Sequence, residues 1–399
     1  MPQRPALPTV AAAGAGALLF AAVLAGCSSG PVTQQGASST SSTAAPTNAR
    51  GAVTTGVPAT CSSPATGVVQ CQLPESNDLT NYNLATLVGE ADAVDGAVTD
   101  TTPLVMTAFG GWGADGYTLG TSTFGAQHGG AGGSGGEAQT ATTESAYVAA
   151  HQSPVLYYYL GETGLYDEHD GANGGSSTIV ATKDLQSTSA CIVGYSSCTS
   201  TDVLLDAGGG GGGGAAGTSC AGGYGGSGGA ALATTSTNAS KAGAGGDSAN
   251  CTGGHGGHGG DFGAAGPGGD GGDGATSKAG KYGSDGVGGL GGPVHNATKT
   301  GPGTATPWQN ASSLALGSAG QGGEGEWHNV HSTRDGGGGG GGGGFGGGGG
   351  GGAGGQLDPG GGGGGGGSYA VGTTATPGTF PTVTDSASEG EVLVTFVAS

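Results

Sequence analysis

Uninterrupted glycine runs occupy positions 208–214, 336–344, 346–352 and 360–367, and triplet-spaced stretches such as Gly253-Gly254-His255-Gly256-Gly257-His258-Gly259-Gly260-Asp261 accompany them. A glycine run has no side chain with which to build a hydrophobic core, and glycine loses more backbone entropy on ordering than any other residue. Two outcomes are open to such a segment. It stays disordered, or it forms extended helices of three residues per turn whose N–H and C=O groups are satisfied by neighbours that no Cβ holds apart. In the second case nine glycines span about 28 Å, and Ala, Ser, Asp or His at every third place lines the outer face. Strict collagen is unsuitable, because 17 prolines are few and glycine keeps no sustained every-third register.

Outside the glycine tracts, short apolar runs read as strands, two of them, Leu104 to Phe109 and Val155 to Leu160, bounded by Pro and Gly. They are Leu104 to Phe109, Ser145 to Ala149, Val155 to Leu160, Ser177 to Ala181, Asp202 to Leu205 and the closing Glu391 to Val397. In the last, Val392, Val394 and Phe396 share one face. None of these runs is long and periodic enough for an amphipathic helix, so the fold class expected is all-β.

The front end carries an export signal. A positive start at Arg4 precedes an apolar stretch from Val10 to Leu24, too short and too lightly flanked for a typical transmembrane span. It ends in Leu24-Ala25-Gly26-Cys27, which resembles the lipobox of bacterial lipoproteins. That resemblance implies cleavage between Gly26 and Cys27 and diacylation of the Cys27 thiol, so the expected location is the extracytoplasmic face of the cell membrane. Each buried acyl CH₂ contributes about 0.8 kcal/mol, and two or more chains hold a protein on a bilayer. Residues 1–26 are thus read as signal peptide and 27–60 as a Ser/Thr/Ala-rich disordered tether.

Six further cysteines remain: Cys61, Cys71, Cys191, Cys198, Cys220 and Cys251. An even number in an exported chain points to disulfides. Six allow 15 connectivities; nearness favours Cys61 with Cys71, Cys191 with Cys198, and Cys220 with Cys251. A small disulfide-containing lead-in is expected over 61–97. Formal charge is −20, from 28 acidic and 8 basic side chains, which argues against nucleic acid or anionic lipid headgroups as partners.

A strand leading into Phe109-Gly110-Gly111-Trp112-Gly113-Ala114-Asp115-Gly116 is followed by Gly129-Gly130-Ala131-Gly132-Gly133 and an apolar strand ending in Leu160-Gly161. Later come glycine runs around Phe345, then Ser368-Tyr369 and the strand Val392 to Phe396. This order resembles the glycine-rich domain of anaplastic lymphoma kinase and leukocyte tyrosine kinase receptors and their bacterial secreted relatives, over about residues 98–399. The resemblance implies a tumour-necrosis-factor-like (jelly-roll) β-sandwich with an inserted polyglycine-II helix bundle, the polyglycine region being about 207–367. Long Ser/Thr/Ala/Asn insertions, from Leu232 to Cys251 and from Val294 to Leu316, depart from the pattern, and no kinase motif is present. Only the scaffold carries over, not the receptors' cytokine binding.

No catalytic constellation stands out. His255, His258 and Asp261 share a face of a three-residue helix, but at about 9 Å between successive positions they suit decoration better than one metal ion. Asp270 and Asp273 lack the nonapeptide pattern of calcium-binding glycine repeats. Trp327 and His328, near Glu324, Glu326, His331 and Asp335, lack a nucleophile or oxyanion element. No catalytic residue, metal or cofactor is therefore assigned. The function expected is a lipid-anchored structural or adhesive surface protein, not an enzyme. One alternative is a module binding cell-envelope glycan or protein through Trp308, Trp327, His328 and Tyr369; another is a secreted hydrolase of unknown type.

Overall fold

The computed structural model describes residues 53–54, 56–75, 80–122, 125–165, 171–185, 202–217, 220–231, 238–240, 254–260, 326–328, 333–345, 347–354, 358–371 and 389–397, all within the unit Ala45–Ser399. It is a mixed α/β fold with two antiparallel sheets and two short helices, so the all-β expectation is corrected. In chain order the strands begin with β1 (Val53–Thr54), β2 (Thr60–Ala65), β3 (Val68–Gln72), β4 (Thr80–Asn83), β5 (Leu104–Phe109), β6 (Leu119–Ser122), β7 (Gly125–Gln127) and β8 (Glu137–Thr142). They continue with β9 (Val155–Tyr159), β10 (Thr178–Ala181), β11 (Val203–Ala207), β12 (Ala230–Ala231), β13 (Asn238–Ser240), β14 (Glu326–His328), β15 (Thr333–Asp335), β16 (Ser368–Ala370) and β17 (Glu391–Val397).

Helix α1 spans Leu84–Asp95 and α2 spans Glu144–His151. In α1, Leu84, Leu87, Val88 and Ala91 fall at helical spacing and are all buried. Asn83 caps its start by accepting from the N–H groups of Ala85 and Thr86, and Gly96 closes it in the left-handed region at φ 69°. The stretch Ser145 to Ala149, expected as a strand, lies inside α2. Thr143 there accepts from Ala146 N–H as N-cap, and alanine favours the helix.

The larger sheet has the order β1-β4-β9-β10-β11-β16-β13 and the smaller β12-β8-β5-β17-β3-β2. Pairing is antiparallel except for two short parallel edge pairs, β1 with β4 and β12 with β8. Leu104, Met106 and Ala108 of β5 join Val392, Val394 and Phe396 of β17, Leu156 and Tyr158 of β9, and Leu205 of β11 in one buried cluster. Both sheets and α1 thus share a core. A second cluster, on the far face of the larger sheet, packs Tyr159, Ile179, Val203 and Tyr369 with Phe345. Cys61 and Cys71 face each other across the β2–β3 pair and are joined by a disulfide.

Seven strand ends of the two larger sheets run directly into glycine segments, as does the end of β15 at Asp335. Strands β5, β9 and β11 lead out into 110–117, 161–165 and 208–216, while 128–136, 171–177, 221–229 and 359–367 lead back into β8, β10, β12 and β16. These segments are hydrogen-bonded rods. Apart from Gly67 and Gly96, which lie outside them, no described glycine has a positive φ, and bonds between rods recur every third residue, the period of an extended three-residue helix. Gly209, Gly212 and Ala215 donate to Gly343, Gly340 and Gly337, while Gly210, Gly213 and Ala216 donate to Gly111, Ala114 and Tyr117. Gly211 and Gly214 donate to Gly226 and Gly223. The carbonyls of the same rod accept from three other rods, through Gly130 and Gly133, Ala172 and Gly175, and Gly360, Gly363 and Gly366.

Rod 208–216 is therefore enclosed by six others. The ring closes on itself through bonds such as Gly110 to Gly136, Gly222 to His128, Gly223 to Gly360, Gly339 to Gly361, Gly340 to Ala172 and Ala114 to Asn173. Rods 161–165, 347–354 and 254–260 bond to the outside of that ring. Rods keep the order of the strands they extend: 161–165, 171–177, 208–216 and 359–367 follow β9-β10-β11-β16, and 221–229, 128–136 and 110–117 follow β12-β8-β5.

Candidate functional site

Why the rods must be glycine is visible at their centre. A Cβ on Gly213 would overlap the carbonyl oxygen of Gly130, and one on Gly212 would overlap that of Ala172. Inside the bundle the methyls of Ala172, Ala215 and Ala216 are buried, and exposed side chains stand on outward positions of the outer rods. Trp112 and Asp115, Tyr224 and Ser227, and His255 and His258 are each three residues apart and each exposed, as the three-residue period requires.

At the edge of the bundle, side chains take over the acceptor role of a missing rod. Asp115 Oδ1 accepts the outward N–H of Gly132 at 2.8 Å, and Thr118 Oγ1 accepts that of Gly129 at 3.2 Å. Where rods meet sheets, hydroxyls do the same. Ser368 Oγ accepts from Gly208 N–H at 2.9 Å and donates to Gly229 O at 2.6 Å, tying the two sheets' extensions together. Thr178 Oγ1 accepts from Gly161 N–H at 2.9 Å and donates to the carbonyl of Phe109.

The residues singled out in the sequence are dispersed. Tyr369 is 6% exposed and its ring stacks on Phe345 with centroids 4.6 Å apart, so it packs within the molecule. Trp327 and His328 lie on the hairpin β14–β15, opposite Arg334 and Thr333, with Glu326 opposite Asp335. Cys220 is disulfide-bonded. Cys27, Trp308, Cys191, Cys198, Cys251, Asp261, Asp270, Asp273, Glu324 and His331 lie outside the described residues. Among the described residues no group of three His, Cys, Asp or Glu side chains is placed to hold a metal ion, and no helix is long and apolar enough to cross a membrane.

The large exposed side chains that the structure does present are others. Trp112 is 38% exposed and Tyr224 is 61% exposed, both on the bundle surface. Sequence reasoning passed over them because each stands alone in a glycine stretch; the signal was one bulky residue at a position that the three-residue period turns outward. Burial shifts several ionisable groups elsewhere. It raises the Glu162 carboxyl, with Glu389 adding to the effect, raises the Tyr82 phenol, which also donates to Glu90 at 2.7 Å, and lowers His151 at the end of α2. No protein-family model matches the chain, and no curated protein matches it in sequence.

Proposed function

We propose that the chain is a lipid-anchored extracytoplasmic surface protein whose glycine rods form a stiff structural or adhesive element. The observation that carries the reading is the main-chain bonding of rod 208–216 to six surrounding rods. Such a bundle resists bending without a hydrophobic core, because its cohesion lies in backbone hydrogen bonds at short, regular intervals. Its chemistry is that of a spacer or platform: exposed side chains are sparse, and the acidic chain stays dispersed in water. In this reading Cys27 is the diacylated first residue of the mature protein, and 27–60 is the tether. The two sheets are then a jelly-roll sandwich of the tumour-necrosis-factor-like kind, with the rods as its polyglycine-II insertions.

Mass spectrometry of the mature protein tests the anchor. A diacylated N-terminal cysteine is expected, and Cys27→Ser should abolish the modification and the partition into detergent phase. An unmodified N-terminus at another residue would overturn it. The exposure of Trp112 and Tyr224 on two rigid rods favours a second reading, a module binding cell-envelope glycan.

A further inference from the structure

We propose that the gap between rods 221–229 and 254–260 is a docking groove for a further glycine strand supplied by the chain itself, residues 266–274; this rests on the structural reading above and extends it. The gap lies beside rod 359–367. Five rods surround that rod and bond to it: 208–216, 336–344, 347–354, 254–260 and 221–229. Each also bonds to the next around it, through pairs such as Gly212 with Gly340, Gly351 with Gly339, Gly349 with His258, and Gly211 with Gly226. Between 254–260 and 221–229 alone there is no such bond among the described residues. Rod 208–216 has six neighbours; here the sixth position is the gap.

The backbone groups that border the gap are those a neighbouring strand would use. In a three-residue helix the N–H groups point in three directions about 120° apart. Gly360, Gly363 and Gly366 donate to rod 208–216, and Gly361 and Gly364 donate to rod 347–354. The third direction, that of Gly362 and Gly365, faces the gap, and neither N–H donates to a described group. Both residues are nonetheless buried. Buried N–H groups are almost always paired, so their burial points to acceptors lying over them. On one wall stand the carbonyls of Tyr224 and Ser227, which a Cβ on Gly362 or Gly365 would overlap and which accept from no described N–H. Donors on the floor and acceptors on the wall match the backbone of an extended chain.

Sequence selects the occupant. Outer rods of this bundle carry a side chain on one residue in three, as at Tyr224 and Ser227 or His255 and His258, so a strand in the gap has to repeat Gly-Gly-Xaa. Residues 266–274 do so, with Pro267, Asp270 and Asp273 at every third place and glycine at the others. The outward residue of an edge strand needs no N–H partner within the bundle, so a proline, which has no N–H, is tolerated there. Nine residues in this conformation span about 28 Å, the reach of the nine-residue rod 221–229. Gly260 donates to Gly365 at the end of rod 254–260, beside one mouth of the gap. Residues 261–265 separate it from Gly266, a connection long enough to reverse into the adjoining position.

Amide hydrogen exchange of the full mature protein, read by NMR, tests the proposal. Gly362 and Gly365 are expected to be protected. Gly269→Val combined with Gly272→Val, on inward places of 266–274, should speed their exchange about tenfold or more and leave Gly212 and Gly213 as in the parent. Asp270→Ser, on an outward place, should change neither pair. Replacement of 266–274 by nine Ser, Thr and Asn residues should act like the valine pair, and decides the matter if that variant fails to fold. Free exchange of Gly362 and Gly365 in the parent overturns the proposal, as does protection that these variants leave intact. Protection lost only on disrupting the similar run Gly288-Gly289-Leu290-Gly291-Gly292 overturns it too, as does protection that falls on dilution, which would make the occupant a second copy. Gly212 and Gly213 separate this failure from that of the bundle: if they stay protected while Gly362 exchanges freely, the bundle stands and the added strand does not.

Discussion

Gly210 donates its N–H to the carbonyl of Gly111 at 2.9 Å, although the strands that these residues extend, β11 and β5, belong to different sheets. Within the core the two layers are held apart by side chains, at the separation of about 10 Å usual for stacked sheets. Beyond Ala207 and Phe109 the side chains stop and the layers close to hydrogen-bonding distance. The bundle is what a pair of sheets becomes when the residues between them are reduced to backbone.

A methyl group inside the lattice should therefore be poorly tolerated. Gly213→Ala, which drives a Cβ into the Gly130 carbonyl, is expected to cost about 1–3 kcal/mol, read as a lower midpoint in urea. Ala131→Ser, on an exposed position of a neighbouring rod, should stay within about 0.5 kcal/mol of the parent. Hydrogen exchange should show the amides of 209–216 protected in the parent and faster in Gly213→Ala.

Edge residues have a different role. Asp115→Ala leaves the Gly132 N–H without its acceptor, and about 1 kcal/mol of stability should go with it. The Gly132 amide should exchange faster while the central rod 208–216 is unaffected. Asp115→Asn, which keeps an acceptor oxygen, should restore most of the loss.

The Cys61–Cys71 disulfide closes a separation of 10 residues. Replacing both by Ala should remove about 2–3 kcal/mol by releasing the unfolded chain. Loss should appear first in β2 and β3, at the edge of the smaller sheet, as local proteolysis or exchange.

Glu162 supplies a pH dependence. Its carboxyl is raised by burial, with Glu389 adding to the shift, so the folded state holds this proton above the pH at which the unfolded chain releases it. The unfolded chain then binds fewer protons, and stability falls as pH rises from about 4.3 through the raised value. Glu162→Gln should remove that slope, seen in denaturant titrations as a gain over the parent that grows as pH rises above the unfolded carboxyl's value and levels off once the raised value is passed.

The strands were readable where short apolar runs stood out from small and polar neighbours: 104–109, 155–159, 178–181 and 391–397 all appear within a residue or two of their expected limits. The helices were harder. Over Ser145 to Ala149 the run is too short to separate a period of two from one of 3.6, and the Thr143 cap outweighed strand propensity. In α1 the signal was present, Asn83 and Gly96 bracketing Leu84, Leu87, Val88 and Ala91, but it sat in a stretch of mixed polarity. The cysteine pair Cys61 and Cys71 followed from nearness. Partners among the rods did not, because glycines in different runs are identical and nothing local states which run lies beside which. Trp112 and Tyr224 needed the three-residue period to be recognised as outward-facing.

That identity of one glycine with the next has a further consequence for rod 208–216, whose seven central glycines are interchangeable. The glycines themselves carry no axial mark, but the residues that flank them do: displaced by three residues, Ala215 and Ala216 would bring Cβ atoms onto the sites of Gly212 and Gly213, where the carbonyls of Ala172 and Gly130 leave no room. Alignment has to be imposed from the ends, by Ala207 paired with Thr178 in the sheet and by the Ser368 hydroxyl that catches Gly208. The sheets act as the warp beam of a loom, fixing where each thread starts so that featureless threads cannot slide.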